Sequence, residues 1–431
     1  MGETVSHHYD VIVLGGGTAG VVAAIQAGRA GAKTLLVEKT GMLGGTTTTG
    51  GVNFPGLFHA WGKQVIAGIG WELVTRAVAE AGGALPDFTD YSGHHSRLQI
   101  RVNPFIYAAL CDEAATKAGV EILFHAMAAG LAPGWRVTLC TKTGLQEVTG
   151  TVVVDATGDA NAVTLAGFPL NISEELQPAT LSCRASGYDP ATLDYDAIDR
   201  AYAAEVQAGR LEITDGSWNT QVASCRQWLQ ARGANASHIH HINARDSAGK
   251  SRLELEARAS LLRLYRFLRT QPGLENLVIE SVAPECGVRE TATIKGKKMI
   301  TADDYRTGRV WEDSVCYAFY PIDLHRSTGD GLGKEPLAEG VVPTVPRGAL
   351  LPVGSRNLLV AGRCVSSDRL ANSGLRVQAS CMAMGQAAGA LAALSAQSGC
   401  DPEALPMEKV RALLRRHGAI VPEPVQERLG K

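Results

Sequence analysis

Three glycines, at positions 15, 17 and 20, and an acid at Glu38 are the residues whose types and spacing speak most directly of chemistry. Gly15 permits a tight strand-to-helix turn, and Gly17 lets a pyrophosphate reach the backbone with no Cβ in the way. Gly20 lets the helix pack closely on the strand. The helix N-terminus offers free N–H groups and roughly half a positive charge to an anion. Glu38 falls where an acid at the end of the second strand accepts from adenosine ribose hydroxyls and repels a 2′-phosphate. This pattern predicts a dinucleotide site that disfavours NADP.

Other residues could move protons or hold anions. Asp323 and His325 alternate along a predicted strand and share a face, and an imidazole of ordinary pKa suits proton transfer. A purely structural histidine is the alternative. Arg347 and Arg363 could clamp a carboxylate, and holding the cofactor or an inter-domain ion pair is equally open to each. His59 stands in a Gly-rich segment and is a candidate substrate contact. His238, His240 and His241 have no acid or cysteine at supporting spacing, so they read as a polar surface strand and no metal site is predicted. Cys364 reads as a small buried residue. Five arginines between Arg252 and Arg269 read as a solvated helix face.

The elements that must position these groups are legible at the start of the chain. Tyr9–Leu14 reads as a buried strand, followed by a helix to about Arg29, Gly31 as its C-cap, and a strand at Lys33–Val37. Helices are expected near Lys63–Ala81 and Pro104–Gly119, and strands at Val120–His125, Trp135–Thr141 and Glu147–Val154. After Phe168 the texture shifts to two long charged helices, Ala191–Ala208 and Arg252–Thr270. From Pro343 the α/β texture returns with a strand at Asn357–Val360 and a helix at Gly374–Ser398. The chain therefore reads as a dinucleotide-binding domain (1–168 and 343–431) interrupted by a middle domain (169–342).

Composition narrows the class. With 431 residues, 45% hydrophobic and 19% charged, the chain can build an ample interior. A net charge of -2 gives no field to attract nucleic acid or an anionic membrane. The nine cysteines form no CxxC pair, which points to a reducing, cytoplasmic compartment. The polar opening leads straight into the first strand, and no signal peptide is expected there.

Taken in order, GGGTAG, MLGG after Glu38, DATGD at Asp155–Asp159, VRETATIKGKKMITADD from Val288, YPIDLH ending at His325, VPRGALLP around Arg347, NLLVAGR at Asn357–Arg363 and LRVQASCMAMGQAAG from Leu375 resemble the large FAD-dependent oxidoreductase family related to the fumarate-reductase and glutathione-reductase flavoproteins. The resemblance runs nearly the full length. It implies a Rossmann-like FAD-binding domain interrupted by an α+β cap over the substrate. Gly15, Gly17 and Gly20 would lie at the pyrophosphate, and Glu38 at the adenosine ribose, with Lys39 beside it also counted as cofactor-binding. Gly44, Gly45 and Thr46 would lie near the diphosphate and ribityl, and the backbone of Ala126 at the adenine. Thr157, Gly158 and Asp159 would pass the dinucleotide half, Gly362 and Arg363 the ribityl chain, and Leu375, Arg376 and Val377 the flavin pyrimidine. Arg376, expected in the first turn of the final helix, would stabilise negative charge on reduced flavin.

The implied reaction is hydride transfer between a small organic substrate and flavin N5, with His325 managing the proton and oxygen or an electron-carrier protein as acceptor. A flavin-dependent hydroxylating or RNA-modifying enzyme, or an electron-transfer subunit, are the alternatives.

Overall fold

The apolar run before the glycine turn becomes the middle of a parallel sheet covered on both faces, which is why it shows no polar alternation. In the computed structural model, which describes residues 7–93 and 95–423, His7–Leu14 lies parallel to Thr34–Glu38 on one side and to Gly144–Asp155 on the other. Glu121–Phe124 extends the first side, and Leu358–Val360 pairs with the end of Gly144–Asp155. The long strand Gly144–Asp155 has a second use. Its earlier half pairs antiparallel with Arg136–Thr141, which pairs in turn with Met127–Ala132. Together these make seven strands, a mixed α/β architecture with a Rossmann-like parallel core. Met127–Ala132, of low strand propensity, was not anticipated; its partner Arg136–Thr141 imposes the conformation.

Two helices carry the packing on this sheet. Thr18–Arg29 is buried from Thr18 to Ala27, and Gln378–Ser398 is buried along most of its length. They meet backbone to backbone: a Cβ on Gly385 would come within 2.2 Å of the Ala19 carbonyl oxygen, and one on Gly389 within 2.2 Å of the Ala23 carbonyl oxygen. The helix Gln378–Ser398 is long and apolar enough to cross a membrane by composition, yet 83% of its apolar window is buried within the protein.

Residues 170–290 form a separate layer. Cys183–Ser186 is flanked by Gly233–Ala234 and Val278–Val282, and helices Tyr195–Gln207 and Ser247–Leu268 bury Tyr202, Leu253, Leu264 and Phe267 against it and its loops. The return to the large core comes earlier than residue 343. Ile300, Tyr305, Val315, Ala318 and Ile322 are already part of it, and Ser314–Tyr317 pairs with Thr344–Pro346 across the expected boundary.

Two helices also differ from expectation. The first begins at Ile69, because Gly68 has φ +87, which no helix accommodates, and a short hairpin of His59–Ala60 with Lys63–Gln64 precedes it. The final helix is split: Arg369–Leu375 ends at Arg376, and Gln378–Ser398 starts after Val377, which is extended at ψ 142. Arg376 therefore precedes the first turn of the long helix.

Adding one methyl at Gly389 sets two effects against each other. Helix propensity favours alanine by about 1 kcal/mol, whereas overpacking against a carbonyl costs about 1–3 kcal/mol. Gly389→Ala should therefore lower the urea midpoint of unfolding. A midpoint equal to or above that of the parent would mean the two helices do not touch as described.

Candidate functional site

At the carboxyl edge of the parallel strands the chain makes a series of sharp glycine turns, where open α/β sheets take their ligands. Gly15, Gly158 and Gly362 all have positive φ, at +100, +82 and +94. The Gly16 amide donates to Glu38 Oε2 at 2.7 Å, and Glu38 Oε1 accepts from the Thr40 amide and hydroxyl, both at 2.8 Å. The buried carboxylate of Glu38 thus fastens the glycine turn to the end of the second strand, with one lone pair to spare for a hydroxyl donor.

The threonine-rich turn closes on the same place. The Gly44 amide donates to the Gly16 carbonyl at 2.9 Å, and a Cβ on Gly45 would fall 2.7 Å from Gly17 Cα. Beyond Gly17 there is room: a Cβ there would meet nothing nearer than Gly45 Cα at 3.9 Å. A Cβ on Gly20 would lie 1.8 Å from the Gly15 carbonyl oxygen. These glycines leave a cradle of free backbone at a helix N-terminus, which suits a pyrophosphate. Thr46 is exposed beside it, and the buried Ala126 donates its amide to the Glu38 carbonyl at 3.1 Å. The Lys39 ammonium is engaged elsewhere, on Glu285 at 2.8 Å.

Asp155, fully buried, was not singled out from the sequence. One of its oxygens accepts from the Thr157 amide and hydroxyl at 3.0 and 2.7 Å, and the other from the Val163 amide at 3.0 Å. It shapes the Thr157–Asp159 turn from beneath. Burial pushes its carboxyl pKa up, against the pull of those donors.

Several expected roles need correction. Arg363 does not reach outward as a clamp. Its guanidinium is spent on the Gly158 carbonyl at 2.9 Å, the Val288 carbonyl and the Asp159 carboxylate, which also accepts from Thr291 at 2.7 Å. Arg347 follows a strand end that directs it to the Leu405 and Pro402 carbonyls, at 2.7 and 3.3 Å, where it anchors the C-terminal segment. His59 is stacked on Phe88 at 3.7 Å with Trp71 at its edge, and burial lowers its pKa to about 4. No hydrogen bond or ring contact joins it to His325. Leu375 is buried, and Val377 packs against Gly56.

The polar cluster lies at the helix break. Arg376 donates from one terminal nitrogen to Gln177 Oε1 and the Asp323 carbonyl, both at 3.1 Å. His325, 5% exposed, has its Nδ1 2.8 Å from His238 Nε2 and its Nε2 3.5 Å from Asp323 Oδ2. Trp218 stacks on His238 and meets His325 edge-on, at 5.7 and 5.2 Å. The same indole lines a surface cleft of about 490 Å³ with Asn219, Asp330 and Lys334. His238 is thus no surface residue. The bridge between Ala179 and Ile239 draws its strand into the middle layer and leaves the ring 1% exposed.

Of eleven buried side-chain polar atoms without a partner among the described residues, six belong to this cluster: Gln177 Nε2, His238 Nδ1, both nitrogens of His240, Asp323 Oδ1 and Arg376 Nε. Native interiors rarely leave such groups bare, so their convergence makes this cluster the candidate ligand-binding place. Burial, with nearby Arg289, lowers the His325 pKa to about 3, and burial lowers that of His240 to about 4. The expectation of an ordinary imidazole pKa at His325 is therefore corrected. Burial alone would raise the Asp323 carboxyl, but His325 and Arg376 hold it at about 2.

The sign of the pH effect follows. Below about 6.5, the ordinary histidine value, the unfolded chain takes up protons that the folded rings refuse. The contribution of these rings to stability is therefore complete above that pH and is lost as pH falls toward 4 and 3. Ring resonances of His325 in the folded protein should stay those of a neutral imidazole down to pH 5. A His325 titrating near its ordinary value would contradict the buried geometry.

Comparison with known proteins gives the family. Residues 10–414 match the model of the FAD dependent oxidoreductase family. The chain is similar to a geranylgeranyl bacteriochlorophyll reductase-like protein from Thermoplasma acidophilum, with TM-score 0.43 and 14% identity over 95% of this chain and 84% of that one. It is similar also to p-nitrophenol 4-monooxygenase from Pseudomonas putida, with TM-score 0.41 and 12% identity over the same shares, 95% and 84%. A dihydrolipoyl dehydrogenase from Trypanosoma brucei brucei is 53% identical over 53 residues, which span 12% of this chain and 11% of that relative. With nearly its whole length matched and an open glycine cradle at the strand ends, the chain belongs to the FAD dependent oxidoreductase family, and FAD is its cofactor.

Proposed function

We propose that the enzyme transfers a hydride between a carbon of a small organic substrate and FAD, with His325 handling the accompanying proton. We further propose its kinship with the fumarate-reductase and glutathione-reductase type of flavoprotein. The observation that carries the reading is the convergence of six partnerless polar atoms on the Arg376–His325 cluster, beside the start of the long C-terminal helix.

Gly15, Gly17, Gly20, Glu38, Gly44, Gly45 and Thr46 would hold the dinucleotide, with the backbone of Ala126, Thr157, Gly158, Asp159 and Gly362. Leu375, Arg376 and Val377 would hold the ring system. Bound FAD supplies the two-electron redox centre. Around it the side chains set the charges. Asp323 Oδ2 lies 3.5 Å from His325 Nε2; with the ring proton of His325 on Nε2, turned toward that carboxylate, Nδ1 would be the acceptor of the His238 Nε2–H. His238 Nδ1 then presents a buried lone pair with no donor. A proton released by substrate enters there and passes its charge toward Asp323, so neither ring must hold a full buried charge alone. Trp218, stacked on His238 and edge-on to His325, would shield the pair from water.

Arg376 Nε points at no protein acceptor, and the adjoining helix start adds positive potential. Both favour the negative charge that reduction places on the bound ring system. His325→Asn should slow the reductive half-reaction by roughly 10²–10⁴-fold in stopped-flow bleaching, with FAD still bound. Unchanged bleaching would remove His325 from the mechanism. Arg376→Ala should lower the reduction potential of bound FAD, and a redox titration superimposable on the parent would sever Arg376 from the ring system.

A further inference from the structure

The cations around this cluster are not all paired. Arg363 is paired with Asp159, and Arg369 with Glu290 and Glu175. Arg289 and Arg376 have no carboxylate within the 4.0 Å of an ion pair among the described residues. Arg289 is 8% exposed. One of its terminal nitrogens donates to the Pro178 carbonyl at 2.6 Å and to Thr180 Oγ1 at 2.9 Å, and the rest of its fork has no protein acceptor. Burial, and the neighbouring Arg376, bring its pKa down to about 9, so it still carries a cation at neutral pH. The carboxylate felt by both guanidiniums is Asp323, already turned to His325 at 3.5 Å. Three imidazoles close by, those of His238, His240 and His325, are held neutral. Neither Arg289 nor Arg376 therefore has an ion-pair partner among the described residues, and an unpaired buried cation is costly.

Gln177 gives a second, independent sign. Its Oε1 accepts from the His325 amide and from Arg376, both at 3.1 Å. The amide cannot flip without losing both bonds, so its Nε2 is committed to a buried place with no acceptor. A fixed buried donor and an unpaired buried cation call for the same thing.

We propose that the substrate carries a carboxylate, bound by the free edge of Arg289 with Gln177 Nε2 as further donor. The inference rests on the reaction centre lying at the His325 cluster. Arg289 is held beside Gln177 by its bonds to Pro178 and Thr180, whereas Arg376 stands at the helix break assigned above to the cofactor, so Arg289 is the cation assigned to substrate. A planar carboxylate fits a guanidinium edge two-pronged.

The test uses the holoenzyme and the visible spectrum of its bound FAD, titrated with acetate and benzoate and, in parallel, with acetamide and benzamide. Carboxylates should perturb the spectrum saturably, and the amides should bind about a hundredfold more weakly. Arg289→Gln should erase the difference, and Arg289→Lys should keep part of it, because charge remains while the fork is lost. Amides binding as tightly as carboxylates, no saturable carboxylate binding, or full carboxylate affinity in Arg289→Gln would each overturn the proposal. Should the glutamine variant fail to fold, the parent's carboxylate-to-amide ratio and the lysine variant decide. The readout needs no turnover. Lost carboxylate preference with a slow His325→Asn enzyme sinks this inference alone; retained preference with an unaffected His325→Asn enzyme sinks the proton assignment alone.

Discussion

Backbone meeting backbone without an intervening Cβ is the constraint on which the rest of the molecule depends. Gly20 lies on Gly15, Gly45 on Gly17, Gly385 on Ala19 and Gly389 on Ala23. None of these contacts could be relieved by a side-chain rotation, because the opposing atom is main chain in each case. The first two contacts form the cradle, and the last two bring the C-terminal helix down onto the helix that carries it. Strand Leu358–Val360, in register with Val153–Asp155, then fixes where that helix begins. The cofactor cradle and the polar cluster are thereby placed by glycines up to hundreds of residues apart.

The polar cluster follows a different logic. In a low-dielectric interior each charge must be paired or must be waiting for a partner. Arg363 and Arg369 are of the first kind, tying the 158–159 turn and the 288–290 segment to the cofactor domain. Arg289 and Arg376 are of the second. Asp323 is the pivot between them: its oxygen toward His325 orders the imidazole pair, and its charge offsets one of the two free cations. Neutral imidazoles suit this setting, since protonation would add a charge beside two buried cations that lack an ion-pair partner.

How much of this could be read from the chain depended on range. The glycine turn, the helix after it and Glu38 lie within one βαβ unit, where local conformational demand dictates residue type, and they stand where the spacing placed them. Asp323 and His325 share a strand, so their adjacency was visible as well. His238 was not, since a histidine in a polar run looks the same whether its strand is pulled inward or left outside. The single bridge that decides the matter pairs it with residues sixty positions away. Arg347 and Arg363 failed as clamps for the same reason: the carbonyls that capture them, at Leu405, Gly158 and Val288, are invisible to any local window. The break at Arg376–Val377 also hid, because neither residue is a proline or glycine and Gly374 sits inside the helix that precedes it; Val377 is extended where it lies against Gly56.

The site draws Gln177, His238 and Arg289 from the middle layer, Asp323 and His325 from a hairpin already inside the large core, and Arg376 from the last helix junction. No one of these segments carries enough of the cluster to bind anything alone. Trp218 shows what that arrangement makes possible. Among the described residues it is the one ring in contact with both His238 and His325, and it also lines the outer cleft. Its ring nitrogen donates to the Asn235 carbonyl at 2.8 Å, so a single anchored side chain joins the buried imidazole pair to the outer cleft.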